Sequence, residues 1–156
     1  MARSHSYAAT VEWTGNRGGG TADYKAFGRD YTISAGDKPP LLGSADPAFR
    51  GDAERYNPED LMVAAISSCH MLWYLHLCAT NGIVITAYRD QAAGVMDMNP
   101  DGSGQFTSVT LHPTVTITDA GLADKARALH EEAHKMCFVA RSVNFPIAHE
   151  AEIVTA

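Results

Sequence analysis

Between residues 58 and 80 the chain reads PEDLMVAAISSCHMLWYLHLCAT, apolar at nearly every position after its first turn. The borders of that run carry helix punctuation. Asn57 can cap, Pro58 suits the first helical position, and Glu59 and Asp60 complement the dipole of the first turn. Asn81-Gly82 supplies a stop, so the pattern predicts one helix over Pro58–Thr80. Upstream the periodicity is that of strands. Residues 7–14 (YAATVEWT) alternate loosely and meet the turn sequence GNRGGGT; residues 24–27 and 30–34 read as two more short strands of a meander, separated by Gly28 and Arg29. Residues 36–56, rich in Gly, Pro and Asp, read as a long loop, and loops of that length in compact domains are usually functional. Alternation resumes over residues 83–96 and again over 106–118, where Pro113 points to an edge position or a bulge. Asp119-Ala-Gly opens a second helix over residues 122–137, with Leu122, Ala126, Leu129, Ala133 and Met136 on one stripe. A last strand is expected over residues 147–154.

The resulting order is β-β-β-α-β-β-α-β. Runs of strands broken by two helices argue for an α+β fold with a mainly antiparallel sheet and two central helices. No internal repeat or long linker interrupts the 156 residues, which read as a single domain, 1–156. The first helix is apolar almost all the way round, more than its own few strands can cover. Burial against a second copy of the chain resolves that excess.

Composition narrows the partners. With 46% hydrophobic and 19% charged residues the chain has a globular balance. Its net charge of −6 and lack of any basic block argue against nucleic acid, which needs a clustered basic footprint. The apolar run from Leu61 to Ala79 holds Ser67, Ser68, His70 and His76 and has the acidic pair Glu59 and Asp60 at its N-terminal border, so a buried core helix is expected there, not a membrane span. The N-terminal MARSHSYAATVEW lacks the apolar stretch of a signal peptide. Three cysteines do not make a secreted disulfide framework, and cytoplasm is the expected compartment.

Those cysteines carry the candidate chemistry. At ~100° per residue, Cys69 shares a helix face with Leu61, Ala65, Leu72 and His76, whereas Cys78, nine residues on, lies roughly opposite. They cannot line one site together. Cys137 ends the second core helix and is the better partner for Cys69, because packed helices can reach the Cα separation of ~4.4–6.8 Å that a disulfide needs. A buried cysteine is also, by default, a small hydrophobe, which suits Cys78. His130, His134 and Cys137 recur at i, i+4 and i+7 and raise the alternative of a metal centre. Spread over two turns, about 10 Å of axial rise, only two of them can readily share an ion. A redox thiol has the more suggestive company: peroxide reduction needs a thiolate, a cation to hold it and a carboxylate to orient the cation. Arg50 precedes the first helix and Glu59 lies in its first turn.

The stretch NPEDLMVAAISSCHMLWYLHL, residues 57–77, resembles the central-helix signature of the OsmC/Ohr family of thiol-dependent peroxidases. AHKMCFVARSVNFPI, residues 133–147, resembles the segment that carries the family's second cysteine. The resemblance implies an intertwined homodimer of OsmC-like fold with active sites at the subunit interface, and no metal or cofactor. It implies Cys69 as the peroxidatic cysteine, Cys137 as the resolving one, and Glu59 as the carboxylate orienting a catalytic arginine. That arginine is matched by Arg50 in OsmC-like members, and by Arg17 if the chain follows the Ohr-like arrangement. The implied substrate is an organic hydroperoxide, and the implied reductant a thiol or a dithiol such as a lipoyl group. Phe138 departs from the Pro or Ala common beside the second cysteine. The alternative is a non-catalytic relative that keeps the fold and binds a metal or a small hydrophobic ligand.

Overall fold

The computed structural model describes residues 3–156. By internal packing the chain divides into two compact units, Met1–Leu61 and Met62–Ala156.

The first unit is built on an antiparallel meander of β1 (Thr10–Trp13), β2 (Tyr31–Ser34) and β3 (Leu41–Gly43). Its third strand is not where alternation put it. Residues 24–27 form turns, because the carbonyls that a ladder would need are taken by an arginine. Arg29 donates from Nη1 to the Phe27 carbonyl at 2.6 Å and from Nη2 to the Tyr24 carbonyl at 2.7 Å. Its guanidinium also covers both rings, 4.0 Å from the Phe27 centroid and 4.7 Å from that of Tyr24. The missing strand is β3, inside the segment expected to be loop. Gly43 lets it approach β2, since a Cβ there would lie 2.3 Å from the Tyr31 ring. A single helical turn, Pro47–Phe49, follows; the Asp46 carboxylate caps it by accepting from the Ala48 N–H at 2.7 Å.

Helix α1 (Pro58–Thr80) matches its expected bounds, and its ends show why. Asn57 Oδ1 accepts from the Asp60 N–H at 2.7 Å, satisfying one of the first-turn donors. At the other end Gly82 takes φ +72°, the Gly82 N–H reaches the Ala79 carbonyl at 3.3 Å and the Ile83 N–H reaches that of Cys78 at 2.9 Å. That pair of bonds is the Schellman closure, and glycine supplies its left-handed residue without strain.

The second unit adds β4 (Ile85–Asp90), β5 (Ala93–Met98), β6 (Gly104–Leu111), β7 (Pro113–Ile117), α2 (Ala123–Met136), β8 (Ile147–His149) and β9 (Glu152–Thr155). Residues 106–118 do not form one strand. Pro113 has no N–H to continue the ladder and instead starts β7. The preceding His112 N–H turns to Asp90 Oδ1 at 2.7 Å, and the chain passes from one sheet to another. The sheets run β4-β7-β9 and β5-β6-β8, each with one antiparallel and one parallel pairing. The last predicted strand is accordingly two, β8 beside β6 and β9 beside β7, and α2 lies in the crossover that parallel pairing requires. The α+β class and the antiparallel bias hold.

Tyr74, Cys78, Ile83, Val115, Ile117, Ala126 and Ala133 form the larger core cluster, and Ile66, Val109 and Leu111 a smaller one. Each large apolar side chain so enclosed contributes about 1.5–3 kcal/mol. The buried row of α2 is Ala126, His130 and Ala133, continued by Cys137. Met136, expected on the buried stripe, is 44% exposed, because the small residues and the histidine let α2 approach along a different line. On α1 the buried row is Ile66, His70, Tyr74 and Cys78. The helix is long and apolar enough to cross a membrane by length and composition, yet only 22% of its most apolar window is buried within this chain.

Candidate active site on helices α1 and α2

Cys69 and Cys137 meet in the second unit. Cys69, half-buried on α1, and Cys137, fully buried just past the end of α2, are both free thiols, near enough for Cys69 to influence the titration of Cys137. Helix α2 ends at Met136, and Cys137 turns extended at φ −67°, ψ 110°. That bend presents its thiol to the chain that follows, where the Ala140 N–H donates to Sγ at 3.4 Å. Burial pushes the Cys137 thiol up to about 11; the Ala140 N–H opposes the rise and contact with Cys69 adds to it. Cys137 is therefore a protonated thiol at neutral pH, stored beside its partner.

Cys69 opens onto a cavity of about 330 Å³ whose other walls are Leu72, Trp73, His76 and Phe138. Trp73 presents an edge-to-face contact to Phe138 (5.4 Å, 81°) and another to His76 (5.8 Å, 86°). Leu72 and Phe138 remain 63% and 67% exposed, so this apolar lining is open in the single chain. Such a pocket can take an apolar ligand against the Cys69 sulfur. Cys78 takes no part in it. Cys78 lies in the core with Tyr74, and burial raises its thiol.

The helix that carries Cys69 is anchored two residues earlier. Ser67 Oγ donates to Asp90 Oδ2 at 2.5 Å, while Asp90 Oδ1 holds the His112 N–H. One carboxylate thus ties α1 to β4 and to the break between β6 and β7.

The expected cation and carboxylate belong to the first unit. Arg50 is exposed and follows the turn at Pro47–Phe49, with its guanidinium 5.9 Å from the Tyr24 ring centroid. Its backbone sits at φ +66°, the single non-glycine residue with positive φ among those described. A left-handed non-glycine residue costs roughly 1–2 kcal/mol, and such outliers cluster at functional positions. Glu59 is half-buried, and its charge, after burial, raises the Tyr31 hydroxyl. Among the described residues no ion pair within 4.0 Å joins Arg50 to Glu59. Arg17 lies in the same unit, with Nη2 3.5 Å from where a Cβ on Gly28 would stand. Sequence reasoning passed over Arg29, the most firmly held guanidinium of this unit; its signal was the pair of flanking aromatics, Tyr24 and Phe27.

The histidines do not converge with Cys137 as ligands. His130 Nδ1 is bonded to His70 Nε2 at 2.9 Å, and the His134 ring lies 6.2 Å from that of His149. Among the described residues no three His, Cys, Asp or Glu side chains are placed to hold one ion. That His70 and His130 would bond to each other was not foreseen. The signal available was their position, each on the row of its helix that turned out to be buried.

A family model described as OsmC-like protein matches residues 51–152. Comparison with curated protein sequences finds no match. Among solved structures the chain is similar to an OsmC-like protein of unknown function from Vibrio cholerae, with TM-score 0.86 and 28% identity over 95% of this chain and 99% of that one. It shares its fold with an organic hydroperoxide resistance protein from Elizabethkingia anophelis (TM-score 0.70, 15% identity, all of both chains). A third is an organic hydroperoxide resistance protein from Legionella pneumophila (TM-score 0.70, 17% identity, 98% of this chain and 99% of that one).

Proposed function

Because this chain belongs to the OsmC-like protein family, we propose that it is a thiol-dependent peroxidase acting on organic hydroperoxides. The observation that carries this reading is a half-buried Cys69 at the wall of an apolar cavity with the buried Cys137 close by. The names of the two hydroperoxide resistance proteins that share the fold support a peroxide substrate.

In this reading the Cys69 thiolate attacks the distal oxygen of ROOH. The S–O bond forms as the O–O bond breaks, leaving a sulfenic acid and an alkoxide that takes up a proton as ROH. Cys137 then loses its proton and attacks the sulfenic sulfur as the thiolate; the S–S bond of a Cys69–Cys137 disulfide forms as the S–O bond breaks, and the departing hydroxide takes up a proton to leave as water. An external dithiol reduces that disulfide and is itself oxidised to a disulfide. Leu72, Trp73 and Phe138 bind the organic group and keep water from it.

Arg50 supplies the charge that stabilises the Cys69 thiolate and the leaving alkoxide, and Glu59 orients it. In this reading the protein acts as a homodimer, and a second copy brings its own Glu59 and Arg50 to the site. It also covers the open apolar face of α1. A reducing compartment suits both free thiols and the dithiol donor.

The test is turnover of cumene hydroperoxide by reduced protein with a dithiol donor. Wild type consumes the peroxide, Cys69→Ser does not, and Arg50→Ala lowers kcat/KM by about 10²–10³-fold, as expected for loss of a transition-state charge partner. Unchanged activity in Cys69→Ser would sink the proposal. A large loss in Arg29→Ala or Arg17→Ala with none in Arg50→Ala would move the arginine's role to that residue.

A further inference from the structure

Four of the chain's seven histidines gather in the second unit, and the thiol chemistry uses none of them. His70, His130 and His149 have ring centroids 5.3–5.8 Å apart, and His134 lies 6.2 Å from His149. Two of the four are enclosed, His70 at 1% and His130 at 0% exposure. These two are joined Nε2 to Nδ1 at 2.9 Å, with ring planes only 5° apart. Buried imidazole nitrogens lose several kcal/mol of hydration if left unpaired, on the order of 1–3 kcal/mol each in proteins. Both rings are shut off from bulk solvent, so this bond constrains where its two helices sit.

Its placement relative to the thiols is what matters. His70 directly follows Cys69 on α1. His130 stands seven residues before Cys137, in the same buried row of α2. The two helices therefore come together at two places, through a hydrogen bond between nitrogens at one and through the proximity of Cys69 to Cys137, just past the end of α2, at the other. A third link reinforces the first: the Tyr74 hydroxyl donates to the Ala126 carbonyl at 3.0 Å, and the Tyr74 ring stacks on His130 at 3.7 Å.

The remaining nitrogen of His130 sets the direction of the bond. His130 Nε2 is buried with no hydrogen-bond partner among the described residues. An orphaned N–H is rarer and costlier than an orphaned lone pair, so the proton belongs on Nδ1, which donates to His70 Nε2. Both rings are held neutral. Burial, then the neighbouring His149 and His134, lowers His70 to about 4; burial, then His70 and His149, lowers His130 to about 3.

We propose that the His70–His130 hydrogen bond is the positioning element of the redox pair: it fixes α1 against α2 at the register where Cys137 meets Cys69. His70 and His130 thereby set the effective concentration of one thiol at the other, and with it the ease of closing the disulfide. This inference rests on the redox role proposed for the two cysteines, but it is measured without peroxide.

The experiment equilibrates full-length protein in glutathione redox buffers. Oxidised glutathione accepts the two electrons and two protons of the Cys69 and Cys137 thiols, leaving the protein disulfide and two reduced glutathione molecules. His70→Gln keeps an acceptor near the Nε2 position, whereas His70→Phe keeps a ring and removes it. The expected equilibrium constant stays within about threefold of wild type for His70→Gln and falls about tenfold or more for His70→Phe, a shift of about 30 mV for the two-electron couple. A cooperatively folded His70→Phe with the wild-type constant overturns the proposal, as does a His70→Gln no better than His70→Phe. Wild type supplies a second measurement that needs no variant. NMR of protein labelled with ¹⁵N in its histidines should show a scalar coupling between the two ring nitrogens across the bond, in both the dithiol and disulfide forms. Its absence from both forms overturns the proposal.

The two readings separate cleanly. Disulfide formation without hydroperoxide turnover removes the peroxidase and leaves the positioning role standing. Normal turnover with an unshifted His70→Phe constant removes the positioning role alone. A wild type in which glutathione forms no Cys69–Cys137 disulfide removes both.

Discussion

Acid should unfold this protein through His70 and His130 before its carboxylates titrate. In the folded chain the two imidazoles sit near pKa 4 and 3, while in the unfolded chain each returns to about 6.5. Between those values the unfolded state binds more protons than the folded one, so stability falls as pH falls. The loss begins near pH 6.5 and ends once the folded rings themselves take up protons, near pH 4 and below. At pH 5 each ring has lost about 1.5 pH units of differential binding. At 1.36 kcal/mol per unit the pair costs about 4 kcal/mol relative to pH 7.5. That is a large part of a typical total stability of roughly 5–15 kcal/mol.

The groups around the pair accentuate the effect. His149 of β8 and His134 of α2 face it with potential positive charge, and Tyr74 of α1 stacks on His130 without offering a carboxylate. The nearby Glu131 pairs with His149 at 3.4 Å instead. The assay is urea unfolding at pH 7.5, 6 and 5 at one fixed protein concentration, since any subunit association adds its own stability. A His70→Phe/His130→Phe variant, if it folds, should lose most of the dependence. Wild-type stability constant to within about 0.5 kcal/mol from pH 7.5 to 5 would refute the neutral buried pair, given the linkage slope.

Two further outcomes follow from other parts of the structure. Burial pushes the Cys137 thiol up in the reduced protein, so its thiolate is scarce at neutral pH and the rate of disulfide closure onto the Cys69 sulfenic acid should rise between pH 7 and 9; stopped-flow Trp73 fluorescence can follow it, and a flat profile would contradict a buried protonated resolver. Asn57→Ala removes the cap on the Asp60 N–H and should lower the unfolding free energy by about 1 kcal/mol in urea titrations; no change would mean that the first turn of α1 does not depend on that bond.

How much of this was legible in the sequence depended on range. The bounds of α1 were, because Asn57, Pro58 and Gly82 act within one turn of where they sit. The phase of Cys69 against Cys78 was too, since it needs only the helical repeat. Residues 24–27 misled because alternating aromatics can face a guanidinium as well as a core; the deciding Arg29 contacts are invisible to periodicity. β3 was hidden by its length of three residues after Pro39-Pro40, and its pairing with β2 depends on Gly43 admitting a ring. Strands β8 and β9 read as one because both alternate; only the partners β6 and β7 separate them. Of the site, the cysteines could be placed from their helices. The His70–His130 bond could not, as it joins residues sixty positions apart.

The most direct test of the central claim is peptide mapping after one equivalent of cumene hydroperoxide is added to reduced protein. A single Cys69–Cys137 disulfide with Cys78 still reduced, formed equally well in Cys78→Ala, is the predicted result. A disulfide through Cys78, or an unoxidised Cys69, would contradict it.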